Sequence, residues 1–322
     1  MAKAKSITRP RKLGDTGIVL VILLVMIVIM ATISPAFRTI DNMGNVIVQV
    51  MPLAIVSIGQ TFVILTGGID LSIGSLISLT TAIASVTMGL GGSWGIIKGL
   101  LAVLLASLAI GIFNGLAVAK LSVPPMVTTI AMSTFLQGVV FKLRPGPGGF
   151  VPGGYANLVT ARAGLVSVPF LIMTIFCVLS YYLLQRTALG RQIYAVGENA
   201  KTAKSMGVRV EKVTVFAYGW CAFLAAVSGL ILTARIRTGD PVIGVPFGLD
   251  SVTAVVIGGT VLTGGRGDVL GSVAGAFIIG MLSNILNLLG VSSFYQYVLK
   301  GTLLIVAMLV YSLTSRREVS GE

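Results

Sequence analysis

One carboxylate interrupts a strongly apolar part of the chain. Residues 65–75 read LTGGIDLSIGS, so Asp70 follows a glycine pair and is followed by two serines. Two adjacent glycines cost about 1 kcal/mol each relative to alanine inside a helix, and they predict a helix end or a break. A carboxylate at such a break accepts hydrogen bonds from the free N–H groups that begin the next helix. The sequence leaves two roles open for Asp70: a helix cap, or a group in a transport or gating pathway.

The same pattern returns later in the chain. Residues 262–272 read LTGGRGDVLGS and match residues 65–75 at six of eleven positions, 197 residues further on. The match indicates either duplicated structure or a coincidence of one short string. In the second copy, Arg266 and Asp268 are expected either to pair or to face the cytoplasm. The apolar stretch before it is short and contains glycine, and interrupted spans of this kind point to the pathway of a transporter.

Polar uncharged side chains inside apolar stretches are further candidates for a pathway. Asn284 and Asn287 are three residues apart, so they share one face of a helix. An amide between helices either lines a pathway or pairs with a neighbouring helix, and the sequence does not choose between the two. The residues that we expect at a translocation pathway or a helix break are Asp70, Gln60, Ser72, Asn114, Asn284 and Asn287.

The composition places these residues in an integral membrane protein. Of 322 residues, 55% are apolar and 10% are charged, whereas soluble domains carry about a quarter charged residues. The sequence contains no histidine, which excludes zinc–histidine sites and histidine general bases. The net charge of +13 fits the excess of basic residues in cytoplasmic loops, and we do not expect nucleic acid as a partner.

Ten apolar stretches are long enough to span a bilayer, which needs about 20 residues per helix. We predict an all-α integral membrane protein of about ten transmembrane helices, some of them broken or re-entrant, in a single transmembrane domain over residues 1–322. The predicted spans are 17–33, 46–66, 69–90, 95–118, 125–142, 164–184, 213–233, 247–263, 268–289 and 294–313.

The basic residues predict the orientation of the chain. With the N-terminus inside, the inner segments hold fifteen Lys and Arg and the outer segments hold seven, which favours cytoplasmic termini. The remaining one, Lys300, lies within the last span and is expected to snorkel or to face protein, because an ammonium group in lipid is costly. The longest outer segment, 143–163, is rich in proline and glycine and cannot form a long helix.

The longest cytoplasmic segment is residues 185–212. Within it, ENAKTAKSMG predicts a short helix with Glu198 or Asn199 near its start and Gly207 at its end. Physical reasoning leaves two roles open for this segment, plain packing and a docking surface for a cytoplasmic partner.

Four stretches together resemble the membrane permease subunit of bacterial ABC sugar importers. They are VILTGGIDLSIGSL, TALGRQIYAVGENAKTAKSMGV, LDSVTAVVIGGTVLTGGRGDVLGSVAGAFIIG and NLLGVSSFYQYVLKGTLLIVAML, and the resemblance runs in order from about residue 18 to 313. It is strongest to the permeases for ribose, with relatives for xylose, galactose and autoinducer-2. One departure is FGLD before residue 251, where relatives often carry an acidic residue in the context Y-E-L-D/N.

The resemblance implies a multi-pass subunit of the bacterial inner membrane that works as a pair of permease copies in the lipid bilayer. Its expected partners are a cytoplasmic ATP-binding subunit and a periplasmic sugar-binding protein, the latter docking near 143–163. The stretch implied to contact the ATPase includes Gly190, Arg191, Ala195, Gly197, Glu198 and Asn199.

The chain itself is not expected to be an enzyme or to bind a cofactor. No G-x-x-x-x-G-K-[ST] phosphate loop occurs in the sequence, so ATP is expected on the partner subunit. Alternatives to a ribose or pentose permease are an ABC permease for a nucleoside, autoinducer-2 or an amino acid. A gradient-driven secondary transporter is less favoured, because Asp70 is the only strong buried acid available for coupling.

Overall fold

The structure, a computed structural model, describes residues 14–33, 35–89, 92–292, 294–303 and 305–306. Two short strands, β1 (Arg162–Ala163) and β2 (Val166–Ser167), form an antiparallel hairpin, and a single 3-10 turn covers Ala36–Arg38. Residues 294–303 and 305–306 are helical as well. The other helices are α1 (Gly14–Ile33), α2 (Ile40–Leu65), α3 (Ile73–Thr87), α4 (Gly92–Ala119), α5 (Pro125–Leu143), α6 (Gly153–Val159), α7 (Val168–Arg186), α8 (Ala188–Glu198), α9 (Ala200–Ser205), α10 (Val210–Ile236), α11 (Val245–Ile257) and α12 (Val269–Leu288).

Six of these helices, α2, α4, α5, α7, α10 and α12, are long and apolar enough to cross a membrane. Shorter apolar helices cover Val19–Thr32, Ile73–Thr87 and Val245–Ile257. The prediction of an all-α integral membrane protein with broken helices is confirmed. The first nine predicted spans each overlap a described helix. Residue 304 and residues 307–313 of the tenth lie outside the described residues, so the count of ten stays a prediction.

Some helix boundaries differ from the predicted ones for a local reason. α2 begins at Ile40, well before residue 46, because the Thr39 hydroxyl caps it by accepting a hydrogen bond from the Asn42 amide at 3.2 Å. α7 begins later than predicted because the β1–β2 hairpin occupies the residues before it. α11 ends at Ile257, six residues early, because a glycine pair follows.

The core of the molecule is built around α2. Every residue from 50 to 65 is buried, as expected of an apolar helix that other helices surround. α10 packs against α2 and α4, and glycines of α4 permit the close approach. A Cβ at Gly111 would lie 2.7 Å from the Tyr218 carbonyl oxygen, and one at Gly115 would lie 2.6 Å from the Val215 Cα. Small residues at such contacts are typical of helices packed in membranes.

Lys300 faces protein, which is one of its two predicted environments. Its Nζ donates a hydrogen bond to Asp250 Oδ2 at 2.7 Å, and the two side chains are only 17% and 15% exposed. Asp250 is the last residue of the FGLD sequence. The ion pair therefore joins the last described helix to α11.

Candidate functional site

The first glycine break separates α2 from α3. α2 ends at Leu65, and Gly67 adopts a left-handed conformation with φ of +81°. The amide of Gly67 donates to the Ile64 carbonyl at 2.9 Å, and the amide of Gly68 donates to the Val63 carbonyl at 3.0 Å. These bonds satisfy carbonyl groups at the end of α2, as glycine-terminated helices usually do. The predicted break is therefore present at residues 66–72.

Asp70 closes this break with a short chain of buried hydrogen bonds. Its Oδ1 accepts from the Ser72 amide at 2.9 Å and from the Ser72 hydroxyl at 2.6 Å. Asn114 of α4 donates from Nδ2 to the Ser72 hydroxyl at 2.9 Å. Asp70 is 1% exposed, and Ser72 and Asn114 are fully buried. An aspartate that accepts from the amide two residues further on fixes a turn. This series of hydrogen bonds therefore holds the start of α3 against α4.

The cap geometry differs in detail from a simple N-cap. Ser72, and not Asp70, occupies the N-cap position of α3, and its side chain makes no capping bond there. Asp70 acts one step earlier, on the turn that leads into the helix. Its second carboxylate oxygen has no hydrogen-bond partner among the residues that the structure describes.

The second break separates α11 from α12. Gly264, Gly265 and Gly267 all have positive φ, at +91°, +74° and +147°. Asp268 occupies the N-cap position of α12, and its Oδ1 accepts from the Leu270 amide at 2.6 Å. A run of left-handed backbone is favourable only for glycine, which explains why the sequence TGGRG occurs here.

The two breaks lie against each other. The amide of Gly265 donates to the carbonyl oxygen of Leu65 at 3.0 Å. A Cβ at Gly264 would lie 2.8 Å from the Gly67 nitrogen, and one at Gly67 would lie 3.5 Å from the Thr263 carbonyl oxygen. The two LTGG strings, 197 residues apart in sequence, are thus in direct backbone contact.

The predicted loop at 185–212 forms two short helices, α8 and α9. The predicted helix in ENAKTAKSMG is present as α9, and Asn199 caps it by accepting from the Thr202 amide at 3.0 Å. α8 was not predicted. It begins at a cap from Thr187, whose hydroxyl accepts from the Gly190 amide at 3.2 Å, and the Thr187 cap is the signal that could have identified it.

The end of α8 lies on both breaks. A Cβ at Gly197 would overlap the carbonyl oxygen of Leu65 and the amide nitrogen of Gly265. One turn earlier, the Tyr194 hydroxyl donates to the Gly267 carbonyl at 2.9 Å. On the exposed side, Glu198 Oε1 and Arg266 Nε are 3.7 Å apart. We call the contact of Leu65, Gly67, Gly197, Gly264 and Gly265 the glycine junction.

The structure brings some predicted site residues together and separates others. Gly197 lies in the glycine junction with Glu198 beside it, and Asp70, Ser72 and Asn114 form the neighbouring hydrogen-bond chain. The sequence did not single out Tyr194 or the backbone of Leu65. The glycine pair common to both LTGG strings is the only feature of the sequence that points to their contact.

The remaining amides have partners of their own. Gln60 of α2 is buried, and its Oε1 accepts from the Cys221 thiol at 3.5 Å. Asn284 donates to Asn42 Oδ1 at 3.3 Å, and Asn287 accepts from Gln296 Nε2 at 2.8 Å. Each of the three thus makes a contact between chain segments.

The fold and the junction define the class of protein. Apolar helices that are interrupted at glycine pairs are characteristic of membrane transport proteins. Comparison with known proteins identifies the family.

The profile of the family described as branched-chain amino acid transport system / permease component matches residues 42–308. The chain is 40% identical over 296 residues to the ribose import permease protein RbsC of Escherichia coli K12, covering 90% of this chain and 92% of that protein. The Bacillus subtilis protein of the same name is 36% identical over 294 residues, covering 89% and 90%. The xylose transport system permease protein XylH of Escherichia coli K12 is 28% identical over 359 residues, covering 92% and 91%. No solved structure matches the chain.

The chain therefore belongs to this family of transport-system permease components. The resemblance of its four stretches to the permease subunits of ABC sugar importers is confirmed.

Proposed function

We propose that this chain is the membrane-spanning permease subunit of an ABC importer that moves ribose, or another pentose, across the bacterial inner membrane. The observation that carries the proposal is 40% identity to a ribose import permease over 90% of the chain. A xylose permease among the relatives also favours a pentose. The family description names branched-chain amino acids, so an amino acid is the second candidate, ahead of a nucleoside or autoinducer-2.

ATP hydrolysis belongs to a separate cytoplasmic subunit in this proposal. The sequence has no phosphate-binding loop of the G-x-x-x-x-G-K-[ST] type, and the relatives are named as permeases. The chain thus supplies the path through the membrane and no cofactor site, and ATP is held by its partner.

The surface of α8 and α9 is the proposed contact for that ATPase subunit. Of the six residues implied by the family resemblance, Arg191, Glu198 and Asn199 are exposed, so their side chains are available to a partner. Gly190 is buried and Gly197 faces the glycine junction, so these two glycines let α8 lie close to the membrane helices. Ala195 is half-buried.

The docking proposal is tested by co-purification. Arg191→Glu reverses an exposed charge on α8 and is expected to remove the ATPase subunit from the purified complex. Lys98→Glu is the matched control, because Lys98 is also exposed but lies near the end of α4 that is predicted to face outward, away from α8 and α9. Normal co-purification of the Arg191→Glu variant would contradict the assignment.

The other partners follow from the same family. We place both termini in the cytoplasm, supported by the fifteen-to-seven distribution of basic residues. The outer segment 143–163 is the proposed contact for a periplasmic sugar-binding protein. A second permease copy completes the pathway, and residues 1–322 act as one transmembrane domain with 185–212 as its coupling segment.

Asp70 is proposed to position α3, not to contact the sugar. The supporting observation is that the amide and the hydroxyl of Ser72 both donate to Asp70 Oδ1, so this oxygen is held within the turn itself. A pathway role stays a prediction for Gln60, Ser72, Asn114, Asn284 and Asn287. It is tested by measuring ribose uptake by a variant of each residue.

The function is tested by uptake into proteoliposomes. Labelled ribose is supplied with and without the ATPase subunit, the binding protein and ATP. The expected result is uptake only with the complete set. Uptake by the chain alone, driven by an ion gradient, would contradict the mechanism, and uptake of leucine in place of ribose would contradict the substrate.

A further inference from the structure

Three segments far apart in sequence meet at the glycine junction through backbone atoms. Leu65 ends α2, Gly197 lies in the last turn of α8, and Gly264 and Gly265 belong to the second break. A Cβ at Gly264 would lie only 3.0 Å from the Gly197 Cα. Side chains could absorb a displacement by changing rotamer, but close-packed backbones cannot. A shift of α8 is therefore passed to both breaks.

A second contact fixes the orientation of α8 as well as its position. Tyr194 and Gly197 are three residues apart and lie on one face of the helix. The Tyr194 hydroxyl donates to the Gly267 carbonyl at 2.9 Å, while Gly197 contacts Leu65 and Gly265. Two contacts along one helix resist rotation of α8 about the junction.

The helices on both sides of the breaks are also joined to each other. Thr61 of α2 donates to the Ser272 hydroxyl of α12 at 2.7 Å. The Gly244 amide, next to the start of α11, donates to the Ser78 hydroxyl of α3 at 3.0 Å. The four helices that flank the breaks are thus joined in two pairs, α2 to α12 and α3 to the start of α11.

We propose that Tyr194 and Gly197 are positioning residues that join the ATPase-docking segment to both glycine breaks, so that α8 and the two breaks move as one body during transport. This inference rests on the proposed function, in which α8 and α9 contact an ATPase. According to this inference, the movement of α8 is transmitted to the membrane helices through the two LTGG strings.

The test compares transport with ATP use in the reconstituted complex. Tyr194→Phe removes one hydroxyl that faces the second break and adds no atoms. We expect the ATPase subunit to co-purify and to hydrolyse ATP as before, while ribose transported per ATP falls by about threefold or more, because the hydrogen bond from the Tyr194 hydroxyl to the Gly267 carbonyl is lost, together with the longer one at 3.5 Å that the hydroxyl accepts from Gln185. Tyr182→Phe is the control, because Tyr182 is 58% exposed on α7.

Gly197→Ala provides the stronger variant. Its Cβ overlaps two backbone atoms, and we expect ribose transported per ATP to fall by about tenfold or more, equivalent to at least about 1.4 kcal/mol. Gly138→Ala is the control, because a Cβ at Gly138 meets no atom within 4 Å.

An unchanged transport ratio in Tyr194→Phe would overturn the inference, even if Gly197→Ala fails to fold. Loss of the ATPase subunit from Tyr194→Phe would also overturn it, because Tyr194 would then belong to the docking surface. Failure of the proposed function is distinguishable, because the unmodified complex would show no ATP-driven ribose uptake.

Discussion

The two glycine breaks begin with the same four residues but are completed differently. In the first, Asp70 is buried and binds Ser72, which in turn binds Asn114 of α4. In the second, the position aligned with Asp70 is Gly267, and the acid one residue later, Asp268, is partly exposed and caps α12 directly. The end of α8 contacts both breaks, but only the second receives a side-chain hydrogen bond from α8, from the Tyr194 hydroxyl to the Gly267 carbonyl.

The comparison shows which features of a break depend on the repeated LTGG string and which depend on the residues that follow it. LTGG ends a helix and allows a close backbone approach in both copies. The residues that follow determine whether the turn is held by hydrogen bonds from its own side chains, as at Asp70, or also binds another segment, as Gly267 binds Tyr194. We therefore expect the first break to contribute mainly to stability and the second mainly to coupling.

The largest expected effect comes from a matched pair of glycines. Gly67 and Gly264 occupy aligned positions with similar φ, so alanine at either costs about 1–2 kcal/mol for the left-handed backbone. Only Gly264→Ala also crowds the Gly67 nitrogen and the Gly197 Cα, which adds about 1 kcal/mol or more. The midpoint of thermal unfolding in detergent is the measurement. Equal midpoints for the two variants would show that the breaks are not in contact.

The aspartates of the two breaks give the next largest effect. Asp70→Ala leaves the buried Ser72 amide and hydroxyl without their acceptor, which lowers the free energy of unfolding by about 2–3 kcal/mol. Asp268→Ala removes a partly exposed cap and costs about 1 kcal/mol. Thermal unfolding of both variants checks the order, and a larger loss for Asp268→Ala would reverse the assignment of the two breaks.

Local signals in the sequence were sufficient for much of this fold. Glycine pairs predicted both breaks, and Asn199 with Gly207 predicted α9. The sequence did not predict that the breaks touch, because contact between strings 197 residues apart depends on the packing of the whole helix bundle. α8 was missed because its apolar face is short and lies within a basic segment whose overall polarity predicts a loop.

A smaller effect is expected for the ion pair beside the junction. Glu198 and Arg266 are 60% and 68% exposed, and exposed pairs contribute at most about 1 kcal/mol. Glu198→Ala, Arg266→Ala and the double variant should therefore differ little in thermal unfolding midpoint. A coupling energy well above this range would mean that the pair, and not the backbone contact, holds α8 on the second break.

The smallest effect is expected for Asp70→Asn. Asparagine keeps a side-chain oxygen that accepts from Ser72, and it caps about as well as aspartate. Expression, assembly with the ATPase and ribose uptake should remain close to those of the unmodified chain. Loss of uptake with normal assembly would indicate that the charge of Asp70 serves the transport pathway.

The central claim, that α8 and the second break move together, is tested most directly by cross-linking. Cysteines replace Glu198 and Arg266, whose side chains are exposed and adjacent, while Cys177 and Cys221 are buried. The assembled complex is treated with a flexible, reducible bis-maleimide, and each single-cysteine variant serves as a control. Because Glu198 also lies on the proposed ATPase contact, uptake by the untreated double-cysteine complex is the reference, and we predict that cross-linking leaves ATP-driven ribose uptake at that level. Uptake that stops on cross-linking and returns on reduction would show that α8 and the break must separate, and would contradict the account.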